Sequence, residues 1–134
     1  MRRPSGEGNL WWSYAHATDS GILHEVFRTR LQRPPLADEV ARFREHFVAA
    51  IDHATLRQPF REIAGAARML SHLGTLPSFR VALATGAFSD SARCKLRSPG
   101  MSYDAFPAAS ADDALTEVAG HVSAEEVLAS SLAS

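Results

Sequence analysis

Residues 81–96 read VALATGAFSDSARCKL, and the fold turns on how this stretch is taken. Val81, Ala82, Leu83 and Ala84 close an apolar run from Phe79 that lacks helical spacing, which predicts a short strand buried on both faces. The run stops at Thr85-Gly86, and a helix-like segment begins behind Ser89 and Ser91. A hydroxyl at a strand end, beside the free N–H groups of Gly86 and of the next helix, can build a pocket for an anion. Gly86 has no Cβ to hold a phosphate off the backbone. On spacing alone, a plain strand-to-helix turn is the better account, because Thr and Gly are ordinary turn residues.

Downstream the pattern alternates. Ser91 to Ser98 reads as a helix stopped by Pro99-Gly100, and Asp104 to Ser110 (DAFPAAS) holds a second short strand. Asp112 to Val122 reads as a helix capped by Ser110 or Asp112, and a last small helix falls near Ala124 to Leu132. Helix, strand, helix, strand, helix predicts a parallel sheet with crossover helices, where ligands gather beyond the carboxyl ends of the strands.

Upstream the signals are helical. Met1 to Gly8 is a polar, glycine-containing tail. Thr18 or Asp19 would cap a first helix with Ile22, Leu23, Val26 and Phe27 on one face, stopped at Arg33-Pro34-Pro35. Leu36, Val40, Phe43, Phe47 and Ile51 then recur every three or four positions, which predicts a helix of about five turns. Pro59 ends that pattern, and a third helix over Ile63 to Leu73 closes on Gly74 as its left-handed stop. The fold class is α/β: a partial Rossmann-like layer, a short parallel sheet with flanking helices, plus a helical hairpin. The boundaries are a tail at 1–14, the hairpin at 15–58 and the partial core at 59–134.

Composition narrows the function classes. The chain has 134 residues, the length of one domain, and a net charge of −1, which provides no general field for a nucleic acid or an anionic membrane. One cysteine, Cys94, excludes an internal disulfide and suits a reducing cytoplasm. No apolar run approaches the roughly 18 residues that span a bilayer, and no signal-peptide core follows Met-Arg-Arg-Pro. The expectation is a soluble, cytoplasmic protein.

A resemblance adds to this. FRVALATGAFSDSARCKLRSPGMSYDAFPAASADDAL is similar to the middle of a haloacid dehalogenase (HAD) superfamily hydrolase, in the branch close to phosphoglycolate phosphatases. HATDSGILHEVF, the Pro34-Pro35-x-x-x-Glu39 lead-in to the long helix, and IAGAARML resemble the helical cap and returning helix of that branch. The resemblance covers Trp12 to Val122 and implies a HAD-like core with a helical cap. It implies that Thr85 binds the phosphoryl group of a small phosphorylated metabolite, with Gly86 beside it. Intact relatives transfer that group to an Asp and then to water with Mg²⁺. Their Asp-x-Asp-Gly-Thr motif has no counterpart here, since the chain holds no Asp-x-Asp. Asp19, in TDSGIL, superficially resembles that motif but falls where the cap begins, and is kept as a substrate-binding candidate. The acidic metal motif is also missing, and Glu117 stands about where a basic residue belongs. The expectation is a phosphatase-like fragment that is not catalytic on its own and needs no cofactor. The alternative is a non-catalytic anion-binding or protein-interaction module.

Other candidates are weaker. Lys95, the only lysine, is placed by its spacing from Thr85 on a helix pointing away from the pocket, as a surface or cap contact rather than a catalytic group. Glu39, His46 and His53 are seven residues apart, roughly 10 Å each along a helix, too far for one metal ion. Cys94 reads as a packed helix residue, since no histidine stands at a suggestive spacing. Arg28, Arg30 and Arg33 form a solvated helix end or admit an anionic substrate. Trp11-Trp12 either closes the cap or offers an interaction patch. The unpaired strand edge needs a cover, for which a homodimer is favoured over a folded-back Trp11-Trp12 segment or a rearranged sheet.

Overall fold

The computed structural model describes residues 14–15, 18–115 and 129. Helix α1 spans Asp19–Leu31, α2 Ala37–Arg57 and α3 Ala66–Thr75. Strand β1 (Leu83–Ala84), helix α4 (Ser89–Arg97), a 3₁₀ turn (Tyr103–Ala105), strand β2 (Ala108–Ala109) and helix α5 (Ala111–Leu115) follow. The two strands pair in parallel, Leu83 opposite Ala108 and Ala84 opposite Ala109. The protein is therefore a mostly helical α/β structure around a two-stranded parallel sheet. No helix among the described residues is long and apolar enough to cross a membrane.

Local chemistry sets the helix ends. Thr18 caps α1, its hydroxyl accepting from the Gly21 N–H at 3.1 Å. At the start of α2 the Glu39 carboxylate reaches back to the Leu36 N–H at 2.8 Å, half of a capping box, since Leu36 has no acceptor to return. Helix α4 stops in a Schellman arrangement: Met101 N–H bonds the Leu96 carbonyl at 2.9 Å and Gly100 N–H the Arg97 carbonyl at 3.0 Å. Gly100 supplies the left-handed backbone (φ 80°) that this turn requires.

Two expectations are corrected here. Gly74 lies inside α3 rather than beyond it, and the left-handed glycine is Gly65 (φ 86°) at the opposite end. The Glu62 carboxylate accepts from Ala67 N–H at 2.8 Å and so starts the helix late. The run from Phe79 to Ala84 is not buried on both faces: only Leu83 and Ala84 pair, Ala84 is exposed, and Phe79 is 57% exposed. A two-stranded sheet has too few neighbours to enclose a strand.

The core sits at the junction of the helices with the sheet. Leu23 of α1, Phe88 at the start of α4 and Ala111 of α5 are buried together, with Phe27 and Val40 packed against them. Helix α2 packs on α4, where Phe43 meets the Phe88 ring edge-on at 6.4 Å and stacks with Phe47 at 5.5 Å. Helix α3 buries none of its residues. Trp11-Trp12, Glu117 and the helices expected beyond Leu115 lie outside the described residues.

Candidate functional site

The turn after β1 gathers segments that are far apart in the chain. Asp19 enters from α1: its N–H donates to the Gly86 carbonyl at 2.7 Å, and its Oδ2 accepts from the Phe88 N–H at 3.1 Å. The Ser91 hydroxyl, buried in α4, faces both the Phe88 carbonyl at 2.9 Å and Asp19 Oδ2 at 3.3 Å. From the other side, Asp112 Oδ2 accepts from the Ser89 N–H at 3.1 Å. Thr85 Oγ1 accepts from the Ala87 N–H at 3.1 Å. The N–H groups of Ala87, Phe88 and Ser89 are thus filled by the chain's own oxygens. Two of these are carboxylates placed where the positive end of the α4 dipole favours them.

That narrows the expected anion pocket. The Thr85 hydroxyl hydrogen and the Gly86 N–H have no acceptor among the described residues. Asp19, Thr85 and Gly86 are brought together at this turn. Lys95 lies on the same side of the sheet. It lines a cavity of about 310 Å³ with Leu83, Ala84, Thr85, Ala92 and Tyr103, while its ammonium rests 5.6 Å over the Phe47 ring of α2. Its spacing from Thr85 in the sequence predicts a position turned away from that residue. Helix α4 starts at Ser89, however, so its last turns run back beside β1. The contact with Phe47 ties the end of α4 to α2.

Arg44 of α2 is the residue that ties this corner together. Its Nε donates to Asp90 Oδ2 at 3.0 Å, its Nη1 lies 2.8 Å from Asp112 Oδ1, and its guanidinium sits 4.9 Å over the Phe88 ring. The Nη1–Oδ1 contact is short but off the hydrogen-bond axis, so Oδ1 is held by charge rather than by an aligned bond. Burial pushes the Asp112 carboxyl up; the Ser89 hydroxyl and N–H, Arg44 and Ser110 outweigh it and hold the group below its ordinary range. Sequence reasoning missed Arg44, Phe88 and the reach of Asp112 to the Ser89 N–H of α4. Arg44 carried a signal: it stands four residues after Val40 and three before Phe47, inside the apolar stripe.

Arg33 grips Glu39 through two bonds of 2.8 and 2.7 Å and lies 5.6 Å over Phe27. The Arg33 bond, with the Leu36 N–H, takes the Glu39 carboxyl down to about 2. His46 and His53 are exposed along the same helix. Cys94 is buried, and its thiol donates to Asp52 Oδ1 at 2.9 Å; burial first, then Asp52, pushes the thiol up, away from the reactive thiolate. The residues present do not fit the magnesium site that the HAD resemblance implies. Asp19 already accepts from Phe88 and Ser91, and no group of three or more His, Cys, Asp or Glu among the described residues is placed to hold a metal ion.

No protein-family model, curated protein or solved structure matches the chain.

Proposed function

We propose that the chain is a HAD-like, phosphatase-type module that contacts a phosphoryl group through Thr85 and Gly86 but does not turn over substrate by itself. One observation carries this reading. Asp19, at the start of the resemblance's cap, donates to the Gly86 carbonyl at 2.7 Å and accepts from Phe88 N–H at 3.1 Å. The first turn of α1 and the turn after β1 therefore share one corner, which supports the reading. Asp19 serves there as an acceptor for backbone and hydroxyl donors, which leaves it unsuited to attack phosphorus.

The test uses two readouts. With Mg²⁺, an aryl phosphate should be hydrolysed no faster than in buffer. Inorganic phosphate should shift the Gly86 amide in an ¹H–¹⁵N spectrum, and Thr85→Val should abolish that shift. A magnesium-dependent rate lost in Asp19→Asn would overturn the non-catalytic reading, and an unmoved Gly86 amide would overturn the phosphate contact.

A second reading, a protein-interaction module, is favoured by a different observation. Leu56 and Ile63 are each 84% exposed, and Met69 of α3 is 57% exposed. Side chains of this size clustered in one region of sequence mark a surface that a partner covers.

A further inference from the structure

The richest unused surface is the connection between α2 and α3. A groove of about 690 Å³ runs there, floored by Ala54, Pro59 and Phe60 and flanked by Arg57 and Arg61. Phe60, beyond the end of α2, is 43% exposed, and Leu56, in the last turn of α2, adds a large apolar side chain in solvent. Arg57 and Arg61 are exposed, and no carboxylate among the described residues pairs with either. Among the described residues Arg33, Arg42, Arg44, Arg93 and Arg97 pair with carboxylates, whereas Arg28, Arg30 and Arg68 do not; what sets Arg57 and Arg61 apart is that both line the groove beside Phe60. An aromatic floor between two uncompensated guanidiniums has the composition of an interface hot spot.

We propose that this groove docks an acidic, amphipathic segment of a partner protein, seating an apolar side chain on Phe60 and carboxylates on Arg57 and Arg61. Charge chooses the occupant. A second copy docked by a two-fold axis would bring the same guanidiniums against each other, which opposes association. A purely apolar segment would leave two desolvated cations without partners. Carboxylates flanking an apolar residue satisfy both features, and Arg presents a planar fork that receives them in pairs. The proposal specifies the partner chemistry of the interaction reading and is independent of the phosphate contact at Gly86.

The experiment titrates the full chain with a Leu/Glu amphipathic peptide of about 16 residues, long enough to hold helix in water. A Leu/Lys peptide of the same pattern and a single-stranded oligothymidylate serve as comparisons. We expect saturable binding of the acidic peptide alone. Phe60→Ala should weaken it about tenfold, and Arg57→Glu with Arg61→Glu by at least that much, with the double variant gaining affinity for the Leu/Lys peptide. Circular dichroism checks that both variants stay folded. The proposal is overturned by absent binding, by binding that both variants leave unchanged, or by equal binding of oligothymidylate. It is also overturned by a dimer of the wild-type chain that the double variant abolishes. Neither variant touches the Thr85–Gly86 turn, so failure here leaves the phosphate test standing.

Discussion

Asp19 and Phe88 are 69 residues apart in sequence, yet the carboxylate of one caps the backbone N–H of the other at 3.1 Å. The bond joins the first turn of α1 to the first turn of α4. The same Phe88 is fully buried beneath, packed with Leu23 and Ala111. Polar cap and apolar plug are therefore one unit, and its removal should be felt across the molecule.

Asp19→Ala should lower stability by about 1–2 kcal/mol, the range for losing a helix cap, because the Phe88 N–H is left without an acceptor. Asp19→Asn, which keeps an oxygen but not the charge, should lose less. Urea unfolding of the three proteins measures this, and an Ala variant as stable as the parent would contradict the capping role.

Phe88→Ala should be more severe, about 3–5 kcal/mol for an aromatic truncated in a core. In a domain of this size that approaches the whole folding free energy. We expect loss of the cooperative thermal transition, while Phe79→Ala, at a side chain 57% exposed, should leave the midpoint nearly unchanged.

Arg44→Met keeps the stem but removes the charge between Asp90 and Asp112, and should cost about 1–3 kcal/mol. Combined with Asp112→Asn, the loss should be smaller than the sum of the two single changes, because both delete the same contact. Strict additivity in a double-mutant cycle would show that the 2.8 Å approach of Arg44 to Asp112 carries no coupling.

Stability should fall on acidification. The folded Asp112 carboxyl lies below its unfolded value of about 3.9, so its contribution is complete above that pH and is lost as pH drops through the folded value. Glu39, held down to about 2 by Arg33 and the Leu36 N–H, acts in the same direction, but its exposed pair is screened by solvent. Unfolding midpoints at about pH 6 and about pH 3 should differ less in Asp112→Asn than in the parent. An unchanged or larger difference would assign the acid sensitivity elsewhere.

Much of the architecture was legible along the chain because its causes are local. The Val40–Phe43–Phe47–Ile51 stripe, the Thr18 cap and the Pro34-Pro35 stop act within a few residues of where they stand, and α1 and α2 fall where they predict. The parallel pairing of Leu83 with Ala108 followed from the alternation of elements. Within the candidate site, Thr85 and Gly86 were visible as a strand end and a turn.

What occupies that turn was not visible, because it depends on contacts between distant segments. The sequence by itself determined α1 and α2, the Pro34-Pro35 stop between them, and a strand that ends just before Thr85. Only the tertiary structure decided that Asp19 and Asp112 fill the N–H groups of the turn, that Arg44 holds Asp112 and Asp90 together over Phe88, and that Lys95 shares a wall with Thr85. The physical reason is range. Capping and periodicity act over one or two turns of chain, whereas a half-buried charge cluster exists only once packing has brought together groups that the sequence keeps far apart.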